Sequence, residues 1–277
     1  MILDGKKIAD EIFVNLQKTI SKNQLKLKLA VVLVGDNPVS KIYVKEKEKA
    51  CQNIGINFEL FVFPLDISET NLKERIEAIA ENPQNSGVVI QLPLPKSFNT
   101  QEILNLVPQE KDTDVLSDNS RQSFAESETE IFPPVVGAVK KLLDQYSISL
   151  KNKKVVLIGA GRLVGEPLSV WLNSQKIDYT IVNTKTENVA AITQKADVII
   201  SGVGKPKLIS GEMVKQGIIA IDAGTSCEGC KSSGDFDFET VAEKASYITP
   251  VPGGVGPLTV ATLLENLVKL NLLDIRN

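Results

Sequence analysis

The sequence predicts an α/β protein of two domains, an N-terminal α/β domain followed by a Rossmann-like, doubly wound domain. Apolar runs of strand length alternate with stretches of helical period, and this alternation occurs in two blocks of the 277-residue chain. Such a pattern is typical of mostly parallel sheets whose strands are connected by helices. In addition, a glycine-rich turn follows the first strand of the second block, as in dinucleotide-binding units.

The first block opens with a helix and continues through three strands. Apolar residues recur every fourth position from Ile8 to Ile20, which predicts a helix over residues 5–22. A second helix follows Pro38, and a third contains Leu72 and Ile79. Strands are predicted at residues 29–35, 58–63 and 87–95, the last ending in a turn that contains prolines.

The two blocks are separated by a polar segment, residues 112–133, which lacks periodicity and is predicted to be a loop or a domain connection. A connecting helix is predicted from Val136 to Leu143. The strands of the second block are predicted at KKVVLIG and at residues 179–183, 196–204 and 217–224, with helices between them.

A final helix at residues 258–271 is expected to return to the first domain. The predicted domains are therefore residues 1–120 together with the C-terminal segment 258–277, and residues 121–257 together with the linker helix.

The composition is that of a soluble globular protein, with 43% hydrophobic and 23% charged residues and a net charge of -3. This charge gives no strong attraction to nucleic acid. No apolar run is long enough to span a bilayer, and the first residues lack the pattern of a signal peptide. We expect a cytoplasmic protein that binds neither nucleic acid nor membranes.

Cysteine and histidine usage restricts the chemistry. The cysteines are Cys51, Cys227 and Cys230, and the CEGC pair has no second ligand pair with which to hold zinc. A loop with free thiols is the favoured interpretation, it suits a reducing cytoplasm, and no metal site is expected. Because the chain has no histidine, proton transfer has to use Lys, Tyr, Cys, Asp, Glu or water.

The segment VVLIGAGRLVGEP places Gly159, Gly161 and Gly165 between an apolar strand and a helix. Such glycines let backbone N–H groups approach a phosphate, and a helix N-terminus favours negative charge. Since the last interval is one residue longer than in GxGxxG, glycines that serve packing alone are the alternative. The next strand ends without an acidic residue, and Lys185 there is suited to a 2′-phosphate, which favours NADP over NAD. The alternative is that Lys185 is a solvated loop lysine.

One lysine of the second helix lies on its apolar face. Tyr43, Ala50 and Ile54 define that face, and Lys47 falls within it, four residues after Tyr43. Burial would lower the pKa of Lys47 and make it a better proton donor or acceptor near neutrality. The alternative is snorkelling, in which the stem packs and the ammonium stays in water.

Three other segments offer polar or rigid groups. Gln91 follows an apolar strand, and its carboxamide can pair with a heterocycle. Asp112 and Asp114 in KDTD are acidic candidates, with an Asx turn or a solvated loop as the alternative. Proline and glycine control the backbone from Pro250 to Pro257 in front of the last helix, and a rigid domain crossover would explain that without a ligand.

Segments spread over nearly the whole chain match one known family: ILDGKKIADEI, VGDNPVSKIYVKEKEKAC, GVVIQLPLP, KDTD, VVLIGAGRLVGEP, IDAGT, GDFDF and YITPVPGGVGPLTVATLLEN. The chain resembles the bifunctional methylenetetrahydrofolate dehydrogenase/methenyltetrahydrofolate cyclohydrolase family. This resemblance implies a folate domain, a dinucleotide-binding domain and a homodimer. It also implies NADP-dependent oxidation of 5,10-methylenetetrahydrofolate, hydrolysis of the product to 10-formyltetrahydrofolate, and a place in one-carbon metabolism and purine biosynthesis.

The resemblance also implies roles for individual residues. Lys47 corresponds to the catalytic lysine and Gln91 to the residue that positions it, while Tyr43 stacks near the folate ring and Asp114 holds the pterin. The implied cofactor contacts are Gly159, Ala160, Gly161, Thr184 and Thr225, to which Lys185 is added. The implied substrate contacts are Tyr43, Gln91, Asp114, Pro252, Gly253 and Gly254.

Three positions depart from the family pattern. Val115 replaces the usual glycine after Asp114, which is expected to reshape that loop, and FPPV replaces the usual Pro-Cys-Thr-Pro. Ala160 and Gly161 replace the usual Arg-Ser in the phosphate turn, which bears on cofactor choice. Two alternatives follow: an NAD-dependent dehydrogenase without cyclohydrolase activity, or a non-catalytic folate-binding homologue.

Overall fold

The computed structural model describes residues 1–228 and 231–274, and for residues 227, 228, 231 and 274 it describes the backbone alone. The side chains of the CEGC pair therefore lie outside the described residues. The helices are α1 Gly5–Lys22, α2 Pro38–Ile54, α3 Glu69–Glu81, α4 Thr100–Leu104, α5 Asp118–Ala125, α6 Pro134–Gln145, α7 Gly165–Ser174, α8 Val189–Thr193, α9 Phe238–Ala242 and α10 Val255–Asp274. The strands are β1 Lys28–Val34, β2 Asn57–Phe63, β3 Gly87–Ile90, β4 Val155–Ile158, β5 Tyr179–Val182, β6 Val198–Ser201, β7 Ile218–Asp222, β8 Ser226–Glu228, β9 Lys231–Ser233 and β10 Ala245–Ile248.

The chain divides into two compact units, and the predicted α/β class is confirmed in both. The first unit comprises residues 10–134 and 260–277, and the second comprises residues 1–9 and 135–259. Both contain parallel sheets, while β8 and β9 form a separate antiparallel pair. None of the described helices combines the length and the apolar character needed to cross a membrane.

The first unit is built on a parallel sheet of order β2-β1-β3. Side chains of the central strand β1 alternate between two cores. Leu29 and Val31 pack in a core with residues of α1, α2 and α10. Ala30 and Val32 pack in a second core with residues of α3 and α4. Since a strand covered on both faces has to be apolar throughout, this explains the continuous apolar run of β1.

The second unit contains a five-stranded parallel sheet of order β10-β7-β6-β4-β5. Counted along the unit, this is the doubly wound order 2-1-3-4-5, with the order reversing between β4 and β6. In such sheets ligands bind outside the carboxyl ends of the strands at that reversal. The glycine turn that follows β4 lies at this position.

The first nine residues belong with the second unit, whereas the sequence assigned them to the first domain. The backbone N–H of Leu3 donates to the carbonyl of Ile248 at 2.8 Å, and the N–H of Ile248 donates to the carbonyl of Met1 at 3.0 Å. The N–H of Lys6 donates to the carbonyl of Gly253 at 2.9 Å. Because these bonds join backbone groups far apart in sequence, side-chain periodicity gives no indication of them.

The segment 112–133, predicted to be a loop, contains the helix α5 Asp118–Ala125. Ser117 caps it, with its side chain accepting from the N–H of Ser120. Only Ser120 and Phe124 of this helix are buried. The prediction was wrong because one short polar helix with a single large apolar anchor has no measurable period. The cap was the signal that could have revealed it.

Candidate active site and dinucleotide site

Helix α2 carries Lys47 into the interior of the first unit. The helix begins cleanly because Pro38 starts it and the side chain of Asn37 accepts from the N–H of Ser40, and it ends at Gly55 with φ +80°. Lys47 is 7% exposed, while Lys45 on the same helix is exposed. Of the two possibilities that the sequence left open for Lys47, the structure shows burial and not snorkelling.

Gln91 accepts a hydrogen bond from the buried ammonium of Lys47. Its backbone N–H donates to the carbonyl of Val32 at 2.9 Å, which continues the sheet pairing beyond the end of β3. Its Oε1 accepts from Lys47 Nζ at 3.0 Å, and its Nε2 donates to the carbonyl of Leu92 at 3.0 Å. Both ends of the amide are thus engaged, which fixes the oxygen toward Lys47.

Ser40 supports the same arrangement and was not among the predicted site residues. It is buried, and its Oγ donates to the carbonyl of Leu92 at 3.2 Å, the acceptor that Gln91 Nε2 also uses. Ser40 lies seven residues, two helical turns, before Lys47 and therefore on the same face of α2. That spacing was the available signal.

Asp114 is the carboxylate that interacts with Lys47. Burial lowers the pKa of the Lys47 ammonium, and the negative charge of Asp114 opposes that shift. Burial raises the pKa of the Asp114 carboxyl, and the positive charge of Lys47 opposes that shift. Both pKa values therefore move toward neutrality, which suits two groups that exchange protons with a reacting molecule. Tyr43, one turn before Lys47 on α2, is half-buried.

The loop that carries Asp114 is held by Asp112. The buried Asp112 carboxylate accepts from the N–H of Leu116 at 3.0 Å and from the N–H of Ser117 at 2.8 Å. Val115, which lies between Asp112 and Leu116 in the sequence, is 2% exposed and adopts φ +56°. This left-handed conformation favours glycine and is strained for a β-branched residue. The loop therefore has a backbone suited to the family's glycine although it carries valine.

The glycine turn of the second unit fits a dinucleotide phosphate. Gly159 has φ +95°, and a Cβ added there would lie 3.1 Å from the carbonyl oxygen of Gly202. A Cβ on Gly165 would overlap the Gly159 carbonyl, so α7 can approach the turn only because Gly165 has no side chain. Apart from its chain neighbours, no atom of the described residues lies within 4 Å of the corresponding position on Gly161. The turn is thus tight at its base and open at Gly161, as a phosphate would require.

The other predicted cofactor residues also follow strands of this sheet. Thr184 and Lys185 come after β5 and are exposed, in a turn where the side chain of Asn183 accepts from the N–H of Lys185 at 2.9 Å. Thr225 follows β7, and its carbonyl oxygen lies 3.2 Å from a Cβ added at Gly204. All of these loops therefore leave the carboxyl edge of the sheet, where a dinucleotide would bind.

Pro252, Gly253 and Gly254 lie in the second unit immediately before α10. Gly253 has φ +108°, and its carbonyl accepts from the N–H of Lys6. A Cβ on Gly5 would overlap the carbonyl of Gly254. The start of the chain therefore packs directly on this loop, and the loop's contact with substrate stays a prediction.

Comparison with known proteins agrees with this geometry. The sequence profile for the catalytic domain of tetrahydrofolate dehydrogenase/cyclohydrolase matches residues 3–114, and the profile for the NAD(P)-binding domain matches residues 133–274. The chain belongs to the tetrahydrofolate dehydrogenase/cyclohydrolase family. It is 44% identical over 274 residues to the bifunctional protein FolD of Nautilia profundicola, which covers 97% of this chain and 96% of the relative.

Solved structures of the tetrahydrofolate dehydrogenase/cyclohydrolase family superpose closely on this chain. The bifunctional enzyme FolD of Campylobacter jejuni gives a TM-score of 0.92 at 36% identity, covering 99% of both chains. The FolD of Trypanosoma brucei, solved with NADP cofactor and an inhibitor, gives a TM-score of 0.94 at 29% identity. That match covers 100% of this chain and 99% of the other.

Proposed function

We propose that the protein oxidises 5,10-methylenetetrahydrofolate to 5,10-methenyltetrahydrofolate with NADP and hydrolyses the product to 10-formyltetrahydrofolate. The observation that carries the proposal is the buried Lys47–Gln91 hydrogen bond beside Asp114, within the part of the chain that matches the family's catalytic domain. An ammonium buried next to a carboxyl, in a chain without histidine, supplies the one proton-transfer pair that this chemistry needs.

In the hydrolytic step, water adds to the methenyl carbon and the bond from that carbon to N5 breaks. We assign the role of base to the neutral amine form of Lys47, which the lowered pKa of this side chain makes accessible. The amine accepts the proton lost by the attacking water, and the same proton then passes to N5 as the ring opens. The remaining hydroxyl proton leaves to solvent, so one water is consumed and one proton released. Gln91 orients the Lys47 nitrogen, and Asp114 holds the pterin and tunes the charge on Lys47. Tyr43 packs against the folate ring.

The oxidative step depends on alignment more than on acid catalysis. A bound nicotinamide would supply the acceptor for the hydride that the methylene carbon loses. The residues assigned to hold the dinucleotide are Gly159, Ala160 and Gly161 at the phosphates, Thr184 and Lys185 at the ribose phosphate, and Thr225 after β7. Lys185 is exposed, and the residues where β5 ends, Val182 and Asn183, are not acidic, which supports NADP as the preferred form.

The two alternatives from the sequence are not favoured. A dehydrogenase without cyclohydrolase activity, or a binding protein without catalysis, was suggested by the changed loop after Asp114. The relatives at about 40% identity are named bifunctional, and Val115 adopts the positive φ that the family's glycine would supply.

The experiment that tests the proposal follows nicotinamide reduction and loss of the methenyl compound in one reaction, with NADP and NAD in turn. We expect both activities, and a lower KM for NADP than for NAD. Reduction of the nicotinamide without hydrolysis of added methenyltetrahydrofolate would leave only the dehydrogenase, and absence of both would refute the proposal.

We also propose that the protein is a homodimer in the cytoplasm and that its product serves purine biosynthesis. They are supported by the family resemblance. Sedimentation of the purified protein at micromolar concentration tests the dimer, and a purine requirement in cells that lack the gene tests the metabolic role.

A further inference from the structure

Asp235, in the motif GDFDF, is a buried carboxylate of the second unit. It is 0% exposed. Its Oδ2 accepts from Ser201 Oγ at 2.6 Å and from the N–H of Val203 at 2.7 Å, and its Oδ1 accepts from the N–H of Lys205 at 2.8 Å. A buried charge is costly unless it is fully hydrogen-bonded, and these bonds meet that condition.

All three donors belong to one segment, the end of β6 and the loop that follows it. This loop adjoins the phosphate turn: the N–H of Gly202 donates to the carbonyl of Ile158 at 2.9 Å, and a Cβ on Gly159 would lie 3.1 Å from the carbonyl of Gly202. A displacement of the loop would therefore be transmitted directly to the base of the turn. The reversal of strand order between β4 and β6 makes this the ligand-binding edge of the sheet.

The position of Asp235 is itself fixed by Asp222, at the end of the neighbouring strand β7. The carboxylate of Asp222, at the end of β7, accepts from the N–H of Phe236 at 2.9 Å and from the N–H of Gly224 at 3.0 Å. A Cβ on Gly224 would overlap the carboxylate of Asp235, and a Cβ on Gly234 would overlap Asp222. The glycines of DAG and GDFDF are therefore required for two aspartates to fit between the ends of β6 and β7.

We propose that Asp235 is a positioning residue for the dinucleotide: its carboxylate sets the path of residues 202–205 beside the phosphate turn. Being fully buried, it does not touch the dinucleotide and acts through the loop. This inference rests on the proposed function, because it requires that the second unit bind NADP.

The test uses Asp235→Asn, which keeps the shape but replaces one accepting oxygen with a donor, so that at least one of the loop's N–H or O–H groups loses its acceptor. The matched control is Asp237→Asn, two residues further in the same motif, where the carboxylate accepts only from Thr240 Oγ1 at 2.8 Å among the described contacts. Affinity for NADPH is measured by titrating its fluorescence, without any folate present. KM for NADP, KM for methylenetetrahydrofolate and the cyclohydrolase rate are measured alongside.

We expect Asp235→Asn to raise the Kd for NADPH and the KM for NADP by about tenfold or more. The hydrolysis of methenyltetrahydrofolate consumes no dinucleotide, so its rate and the KM for the folate substrate are expected to stay within about twofold of the wild type. Asp237→Asn is expected to match the wild type in every measurement. Ser201→Ala, which removes one donor to the same carboxylate, is expected to weaken NADPH binding by about threefold.

Wild-type affinity for NADPH in both Asp235→Asn and Ser201→Ala would overturn the inference. So would a parallel loss of cyclohydrolase activity in Ser201→Ala, since that would show a general structural role. If Asp235→Asn does not fold, Ser201→Ala alone decides between these outcomes. A wild-type protein that neither binds NADPH nor reduces NADP would refute the proposed function itself, whatever the variants do.

Discussion

Replacing Lys47 by methionine separates the chemistry of this side chain from its packing. Methionine has nearly the same length as the lysine stem, so Lys47→Met leaves no large cavity in a position that is 7% exposed. What the variant loses is the ammonium, its 3.0 Å bond to Gln91 Oε1, and the charge opposite Asp114. The matched control is Lys45→Met on the exposed face of the same helix.

The expected loss of hydrolysis can be estimated from the role assigned to Lys47. A positioned general acid–base contributes about 10²- to 10⁴-fold to the rate, or about 3 to 5 kcal/mol of barrier. Stability is expected to change by less than about 2 kcal/mol, because the lost charge-assisted hydrogen bond is offset by removal of a buried charge. Lys45→Met should change neither quantity measurably.

The assay measures the rate of methenyltetrahydrofolate hydrolysis at saturating substrate, together with NADPH affinity and the thermal midpoint. We expect Lys47→Met to lose at least about a hundredfold in hydrolysis while NADPH affinity and the midpoint stay close to the wild type. Hydrolysis at the wild-type rate in Lys47→Met would refute the assignment of Lys47 to proton transfer. Equal losses in Lys45→Met would show that the effect belongs to the helix as a whole.

Three further predictions follow from other buried or strained positions. Burial raises the pKa of Asp222 from its usual 3.8 to about 7. Between these two pKa values the folded protein holds a proton on Asp222 that the unfolded chain has released. The free energy of unfolding therefore falls as pH rises from the lower pKa to the higher one, and is constant above it. In urea unfolding, the free energy of unfolding of the wild type should fall by about 3 kcal/mol more than that of Asp222→Asn between about pH 5 and about pH 8. An equal pH dependence in both proteins would contradict this. Val115 combines burial with φ +56°, whereas Val89 in β3 is equally buried, at 1% exposed, on an extended backbone. In urea unfolding, Val115→Gly should therefore lower the free energy of unfolding by about 1 to 3 kcal/mol less than Val89→Gly does. Equal losses in the two variants would mean that residue 115 is unstrained. Lys185→Ala should raise the KM for NADP about tenfold, or about 1.4 kcal/mol, and leave the KM for NAD unchanged, and a change in both would argue against a 2′-phosphate contact.

Much of the fold could be read from local patterns in the sequence. The helix predicted at residues 5–22 agrees with α1, and the strands predicted around Val31 and Val89 agree with β1 and β3. These elements carry long or strongly apolar patterns, because each buries one or both faces. The helix α5 and the strand β10 were missed, since both are short and only part of each is buried.

Part of the candidate site could be read in the same way. A helical wheel placed Lys47 on the apolar face of α2, because residues four apart share a face. The sequence left burial and snorkelling open as explanations for a lysine there. The glycine spacing after β4 likewise predicted a tight turn, and in the structure that turn is closely packed at Gly159 and Gly165 and open at Gly161. Both inferences rest on neighbours within one element, which sequence spacing determines.

The sequence by itself thus determined which residues share an element and a face, and it led to the family. The resemblance associated Gln91 with Lys47, but only the tertiary structure showed the hydrogen bond that joins them across 44 residues. The tertiary structure alone showed that Asp235 holds the loop after Ser201 from 34 residues away. In each pair one residue, Gln91 or Ser201, stands at the end of a strand or directly after it, and its partner comes from a helix or a loop elsewhere in the chain. Hydrogen bonds between such distant residues leave no periodic trace in the sequence. Their strength depends on burial, which is a property of the folded protein alone.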